Sequence, residues 1–140
     1  MACASNKYNN HSKKIFSSTS LEEGEVQICK VVIIGQFGVG KTSIVSRFIK
    51  DIFEENLINE AEASYAGKTM TFKEYENKRI KFEIWDIEGQ EKFRTLANLF
   101  YKNLYAAILV YDTTNKESFE AIQEIWINEL EKYAPKNCSK

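Results

Sequence analysis

The chain has 140 residues, 44% hydrophobic and 28% charged, with a net charge of −1. That length holds one domain, and the composition is that of a soluble globular protein. It lacks the basic excess of a nucleic-acid binder, and no apolar run approaches the ~20 residues of a membrane span.

The chain opens with a polar stretch, "SNKYNNHSKKIFSSTS" at residues 5–20, rich in Asn, Ser and Lys and without apolar periodicity. Residues 1–25 are therefore expected to form a disordered N-terminal extension, with His11 as a solvated side chain. No secretory apolar region is present, and Ala2 after Met1 excludes N-myristoylation. Cys3, Cys29 and Cys138 lie too far apart for a metal-binding pair or a dense disulfide framework. Cys29, in a strand-like stretch, is expected to be a small buried hydrophobe.

From Val26 strands and helices alternate. "VQICKVVIIG" ends in the apolar run Val31 to Ile34, as a buried parallel strand does. The segment after the glycines places Ile44, Val45, Phe48, Ile49 and Ile52 on one helical face. "KTMTFKEYE" and "RIKFEIWD" read as two strands separated by a turn at Asn77 and Lys78. In the second, Ile80, Phe82 and Ile84 alternate with charged residues, the period of a half-buried strand. "AAILVY", residues 106–111, reads as a further buried strand and is expected at the outer edge of the sheet. Asn115 then caps a helix whose predicted inner face carries Phe119, Ile122, Trp126 and Leu130. This order predicts an α/β fold, a mostly parallel sheet flanked by helices.

Between the first strand and first helix stands "GQFGVGKT", in which Gly35, Gly40, Lys41 and Thr42 match the phosphate-loop pattern. Glycines let backbone N–H groups converge on phosphate oxygens, and the helix N-terminus that follows favours anions. Lys41 has the charge to neutralise terminal phosphates and Thr42 the hydroxyl to meet Mg²⁺. The strand, loop and helix supply the context that the motif needs. A second set of residues ends the strand in "KFEIWDIEGQEKF": Asp86 can hold a water on Mg²⁺, Gly89 can turn its N–H to a γ-phosphate, and Gln90 can orient an attacking water.

Three stretches, "KVVIIGQFGVGKTSIVSRFIKDIF", "IKFEIWDIEGQEKFRTLANLFY" and "AAILVYDTTNKESF", together resemble the Rab family of Ras-superfamily small GTPases, most of all its early-endosomal type. The resemblance runs from about Lys30 to Lys136 and implies a P-loop NTPase fold, with residues 26–140 forming the N-terminal two-thirds of the domain. It implies GTP or GDP as ligand with Mg²⁺, the phosphates cradled by Gly35, Gly38, Val39, Gly40, Lys41, Thr42 and Ser43. Phe53 would close on the base, Thr42 and Asp86 would serve the metal, and Gln90 would be the catalytic glutamine beside Gly89. Tyr65, Trp85 and Phe100 match the aromatic trio through which Rab switch regions meet effector proteins; exchange factors would use the same regions.

The departures from the family pattern bear on function. Phe37 stands where active members have a small residue, and its ring is expected to crowd the γ-phosphate. Glu60 stands where the family has a metal-clasping threonine. The guanine-reading N-K-x-D motif and the S-A-K loop are not found, and Cys138, with two residues after it, gives no prenylation signal. The reading is thus a Rab-like GTP/GDP switch of the vesicle-trafficking type with impaired hydrolysis, cytoplasmic, and endomembrane-associated where a longer prenylated form exists. The alternatives are a non-hydrolysing interaction module, a fragment of a longer GTPase, or another P-loop enzyme, such as a small-molecule kinase.

Overall fold

A computed structural model describes residues 25–53, 63–87 and 97–139. Four strands form one sheet in the order β2-β3-β1-β4. β1 (Val26–Ile34) lies inside, paired parallel with β3 (Lys78–Ile87) on one side and with β4 (Ala106–Leu109) on the other. β2 (Ala63–Phe72) runs antiparallel to β3. The predicted α/β architecture stands, with β4 at the sheet edge among the described residues. Ser139 reaches that edge, its carbonyl accepting from Ala107 N–H at 2.8 Å and its N–H donating to Tyr105 O at 3.0 Å.

Side chains alternate across a strand, so the sheet builds two cores. On one face Val31, Ile33 and Ile84 meet α1 (Lys41–Lys50) through Val45, with Phe48 and Ile49 packed beside them. Cys29 joins this layer, and burial pushes its thiol pKa up, as befits a packed rather than a reactive cysteine. The face predicted for α1 is wider than the one observed. Ile44 is 46% exposed, and Ile52 lies past the helix end at 40%.

The other face carries Val32, Ile34, Ile87 and Ala107, covered by Tyr101 of α2 (Ala97–Tyr101), by Leu104 and by the C-terminal helix. That helix runs as α3 (Lys116–Ala121), a π-helical segment (Ile122–Ile127) and α4 (Asn128–Tyr133). Asn115 caps it as expected, its side chain accepting from Ser118 N–H at 3.3 Å. Ala121, Ile122, Trp126 and Leu130 are buried, but Phe119 is 45% exposed and packs edge-on against Tyr111 with ring centroids 5.0 Å apart. The wider π turn breaks the 3.6-residue period on which the prediction of Phe119 rested. The predicted strand 106–111 also ends early, at Leu109, although Val110 N–H still donates to Ile34 O at 2.9 Å.

β2 starts five residues before the predicted stretch at Lys68, and the hairpin turns at Glu76 and Asn77, with φ 55° and 56°, rather than at Asn77 and Lys78. Two successive left-handed residues are what a tight turn between twisted strands requires.

Candidate functional site

β1 and β3 end together, with Ile33 beside Asp86. The chain leaving β1 turns onto the α1 face, whereas α2, which follows β3, packs on the opposite face. The crevice at the carboxyl ends of such diverging strands is where open α/β sheets bind ligands.

The loop filling that crevice depends on glycine at two kinds of position. At Gly35 a Cβ would lie 2.1 Å from Val110 O, so the backbone of the neighbouring strand excludes any side chain. Gly38 and Gly40 hold φ 80° and 93°, left-handed conformations that aim consecutive N–H groups into one concavity. Gly40 directly precedes α1, whose first turn has no side-chain cap and no acidic residue, so its N–H groups and dipole suit an anion. Val39 and Ser43 flank this turn, half-buried.

Beneath the loop Lys41 is 6% exposed, its Nζ donating to Gly35 O at 3.1 Å and Gln36 O at 2.9 Å. Thr42 Oγ1 donates to Asp86 Oδ2 at 2.5 Å, across 44 residues of sequence. Asp86 is 3% exposed; burial pushes its carboxyl pKa up, while the Thr42 hydroxyl and the Lys41 charge pull it down. A threonine hydroxyl that gives its proton to a carboxylate keeps its lone pairs for a cation. The donor set is hard oxygen, which suits Mg²⁺. No group of three or more His, Cys, Asp or Glu able to hold a metal occurs among the described residues, so Mg²⁺ here would need oxygens from phosphate and water. The buried ammonium, the concave N–H groups and the hydroxyl–carboxylate pair fit a Mg²⁺–phosphate group.

The structure thus brings Gly35, Gly38, Val39, Gly40, Lys41, Thr42, Ser43 and Asp86 together. Phe53 stands just past α1, 64% exposed. Phe37, whose ring is expected to crowd the γ-phosphate, stands at the loop tip and is 67% exposed. Gly89, Gln90 and Glu60 lie outside the described residues.

A second constellation forms on the α2 face. Tyr65 meets Trp85 edge-on at 5.2 Å between centroids, and Trp85 meets Phe100 at 5.6 Å. The three aromatics come from β2, β3 and α2, so this surface exists only once the sheet and helix have docked. Tyr65 OH donates to Glu83 Oε1 at 3.3 Å, and Lys81 Nζ binds the same oxygen at 2.9 Å. Sequence reasoning missed Lys30, whose ammonium lies 5.7 Å from the Trp85 ring centroid. The available signal was a cation alternating with Val32 and Ile34 on an inward strand face.

The sequence model of the family described as Roc, Ras of Complex, Roc domain of DAPkinase, matches residues 30–139. The chain belongs to the Rab family of Ras-superfamily small GTPases. It is 44% identical over 108 residues to Ras-related protein Rab-22A of Homo sapiens, covering 77% of this chain and 54% of the relative. With Ras-related protein Rab-31 of Rattus norvegicus it shares 42% over 108 residues, 77% of this chain and 53% of the relative. With Ras-related protein Rab-1 of Theileria annulata it shares 38% over 111 residues, 79% and 49%. This Rab-family chain therefore spans about half the length of the relatives it matches. Among the described residues no helix is long and apolar enough to cross a membrane.

Proposed function

We propose that this chain is a Rab-type guanine-nucleotide switch of the vesicle-trafficking class, residues 26–140 supplying its phosphate-binding side. The observation that carries the reading is the buried Lys41 beneath a glycine-lined loop, beside a Thr42 hydroxyl committed to Asp86. A lysine so buried is stabilised by anionic company, which Asp86 and a bound phosphate supply together. Lys41 and the N–H groups of Gly38, Val39, Gly40, Thr42 and Ser43 bind the phosphates. Thr42 holds Mg²⁺, with Asp86 fixing the hydroxyl's orientation behind it. Bound there, Mg²⁺ neutralises charge on the terminal phosphates. Phe53, exposed beyond α1, is free to close on the base. Gly89 and Gln90 keep the roles that the family resemblance implies, γ-phosphate contact and orientation of the attacking water.

Hydrolysis is slow in this reading. Phe37 puts a bulky ring at the loop tip, where the water and Gln90 must assemble, and Glu60 sets a carboxylate where a neutral metal ligand is normal. The Tyr65–Trp85–Phe100 surface, with Tyr65 exposed and Trp85 and Phe100 half-buried, meets effector and exchange-factor proteins, since aromatics held rigidly at a surface make good anchors.

A ligand that binds only the folded state raises the melting temperature by mass action. Millimolar GDP or GTP with Mg²⁺ is expected to do so, and Lys41→Ala to abolish the shift. If neither nucleotide moves the wild-type transition, the switch reading fails and the aromatic surface leaves an interaction module in its place.

A further inference from the structure

Lys30 sits on β1 on the face shared by Val32 and Ile34, yet it is a cation. Its Nζ donates to Lys102 O at 2.9 Å and to Leu99 O at 3.3 Å, and it lies over the Trp85 ring. Burial pushes its pKa down and the Glu83 charge pushes it back up. Its backbone carbonyl accepts from Tyr105 N–H at 2.9 Å. One residue therefore holds α2 at its last turn and again where the chain enters β4.

α2 needs such a hold. A helix of five residues cannot persist on its own, and its final carbonyls have no partners within it. The chain turns away at Asn103 through φ 58°, and Leu104 N–H returns to Tyr101 O at 3.3 Å. An ammonium at this helix end satisfies the carbonyls and complements the dipole. The same ammonium sits within cation–π range of Trp85, so it ties the helix to the tryptophan. Phe100 rides on that helix between Leu99 and Tyr101.

We infer that Lys30 is a positioning residue of the Tyr65–Trp85–Phe100 surface, fixing α2, and with it Phe100, against the Trp85 ring. The inference rests on reading that surface as the partner-binding face. A partner there meets a preset aromatic plate rather than a helix it must first order, and so loses less entropy on binding.

The test is ¹⁹F NMR of the nucleotide-free chain labelled with 5-fluorotryptophan, which reports Trp85 and Trp126 separately. Trp126 is buried on the inner face of the C-terminal helix and serves as the internal reference. Lys30→Met keeps the aliphatic stem and removes the charge and the donors. It is expected to displace the Trp85 resonance by more than its linewidth and leave Trp126 in place. Lys30→Arg is expected to return Trp85 close to its wild-type position, since guanidinium keeps both the charge and the donors. Lys30→Gln, a milder change, is expected to give a smaller displacement of Trp85 alone. An unmoved Trp85 in both neutral variants, joint movement of the two resonances, or no restoration by arginine would each overturn the inference. Because no nucleotide is present, failure to bind GDP or GTP would count against the switch reading without touching this result.

Discussion

Gly35→Ala isolates a single steric fact. The new Cβ would sit 2.1 Å from Val110 O, and the φ of 151° at Gly35 is one that side chains resist. Nothing flexible stands in the way, because the obstacle is the backbone of the chain leaving β4. Val110 O must retreat from 2.1 Å to at least 3.4 Å, about 1.3 Å, to reach an ordinary contact. That movement strains the bond from Val110 N–H to Ile34 O, 2.9 Å long, which holds β4 against β1. Overpacking of this kind costs about 1–3 kcal/mol, a lost backbone hydrogen bond about 1, and the unfavourable φ about 1 more. The expected loss of stability is thus about 3–5 kcal/mol. Urea denaturation followed by circular dichroism measures it, with Gly38→Ala as the matched control. At Gly38 an added Cβ meets nothing within 4 Å, so only the cost of φ 80° applies, about 1 kcal/mol. Equal losses for the two variants would refute the claim that Gly35 is there to let β4 pass.

Two further outcomes follow from the site. Asp86 has a raised pKa when folded, so the native state keeps a proton that the unfolded chain has released. Stability contributed by this group falls as pH rises from the unfolded aspartate value toward the folded one, then levels off; Asp86→Asn is expected to remove that slope from a pH series of melting temperatures. Phe37→Gly combined with Glu60→Thr is expected to raise single-turnover GTP hydrolysis, while Phe37→Gly alone leaves the urea midpoint nearly unchanged because the ring is 67% exposed; wild-type turnover equal to that of the double variant would sink the account of slow hydrolysis.

The phosphate side of the site was legible in the sequence because its chemistry dictates residue types. Only glycine tolerates the backbone at Gly35 and Gly40, and only lysine and a small hydroxyl serve at Lys41 and Thr42. That Thr42 and Asp86 serve one Mg²⁺ was legible from their chemistry and places after strands, but their direct hydrogen bond was not, since no local pattern links residues 44 apart. Strands β1 and β3 announced themselves by an apolar run and a period of two. The first half of β2, "ASYAG", did not, being small and glycine-containing; it becomes a strand because β3 offers a ladder that begins at Ala63 and Ile87. Lys30 left little trace for another reason. Two of its partners are backbone carbonyls, which any residue supplies, so no motif encodes the contact.

The π-helical segment Ile122–Ile127 carries a consequence for how this helix tolerates changes in chain length. A π turn is in effect an α-helix that has taken in one extra residue. Ala121, just before it, and Leu130, in α4 beyond it, are both buried in the same layer, so the extra residue is absorbed between two fixed anchors. A version of this chain with one residue fewer between them could relax to a plain α-helix and keep both anchors seated. One residue more, by contrast, would have to widen the turn again or rotate Leu130 by about 100° out of the core. Length variation in this helix is therefore one-sided: a single-residue deletion has somewhere to go, and a further insertion does not.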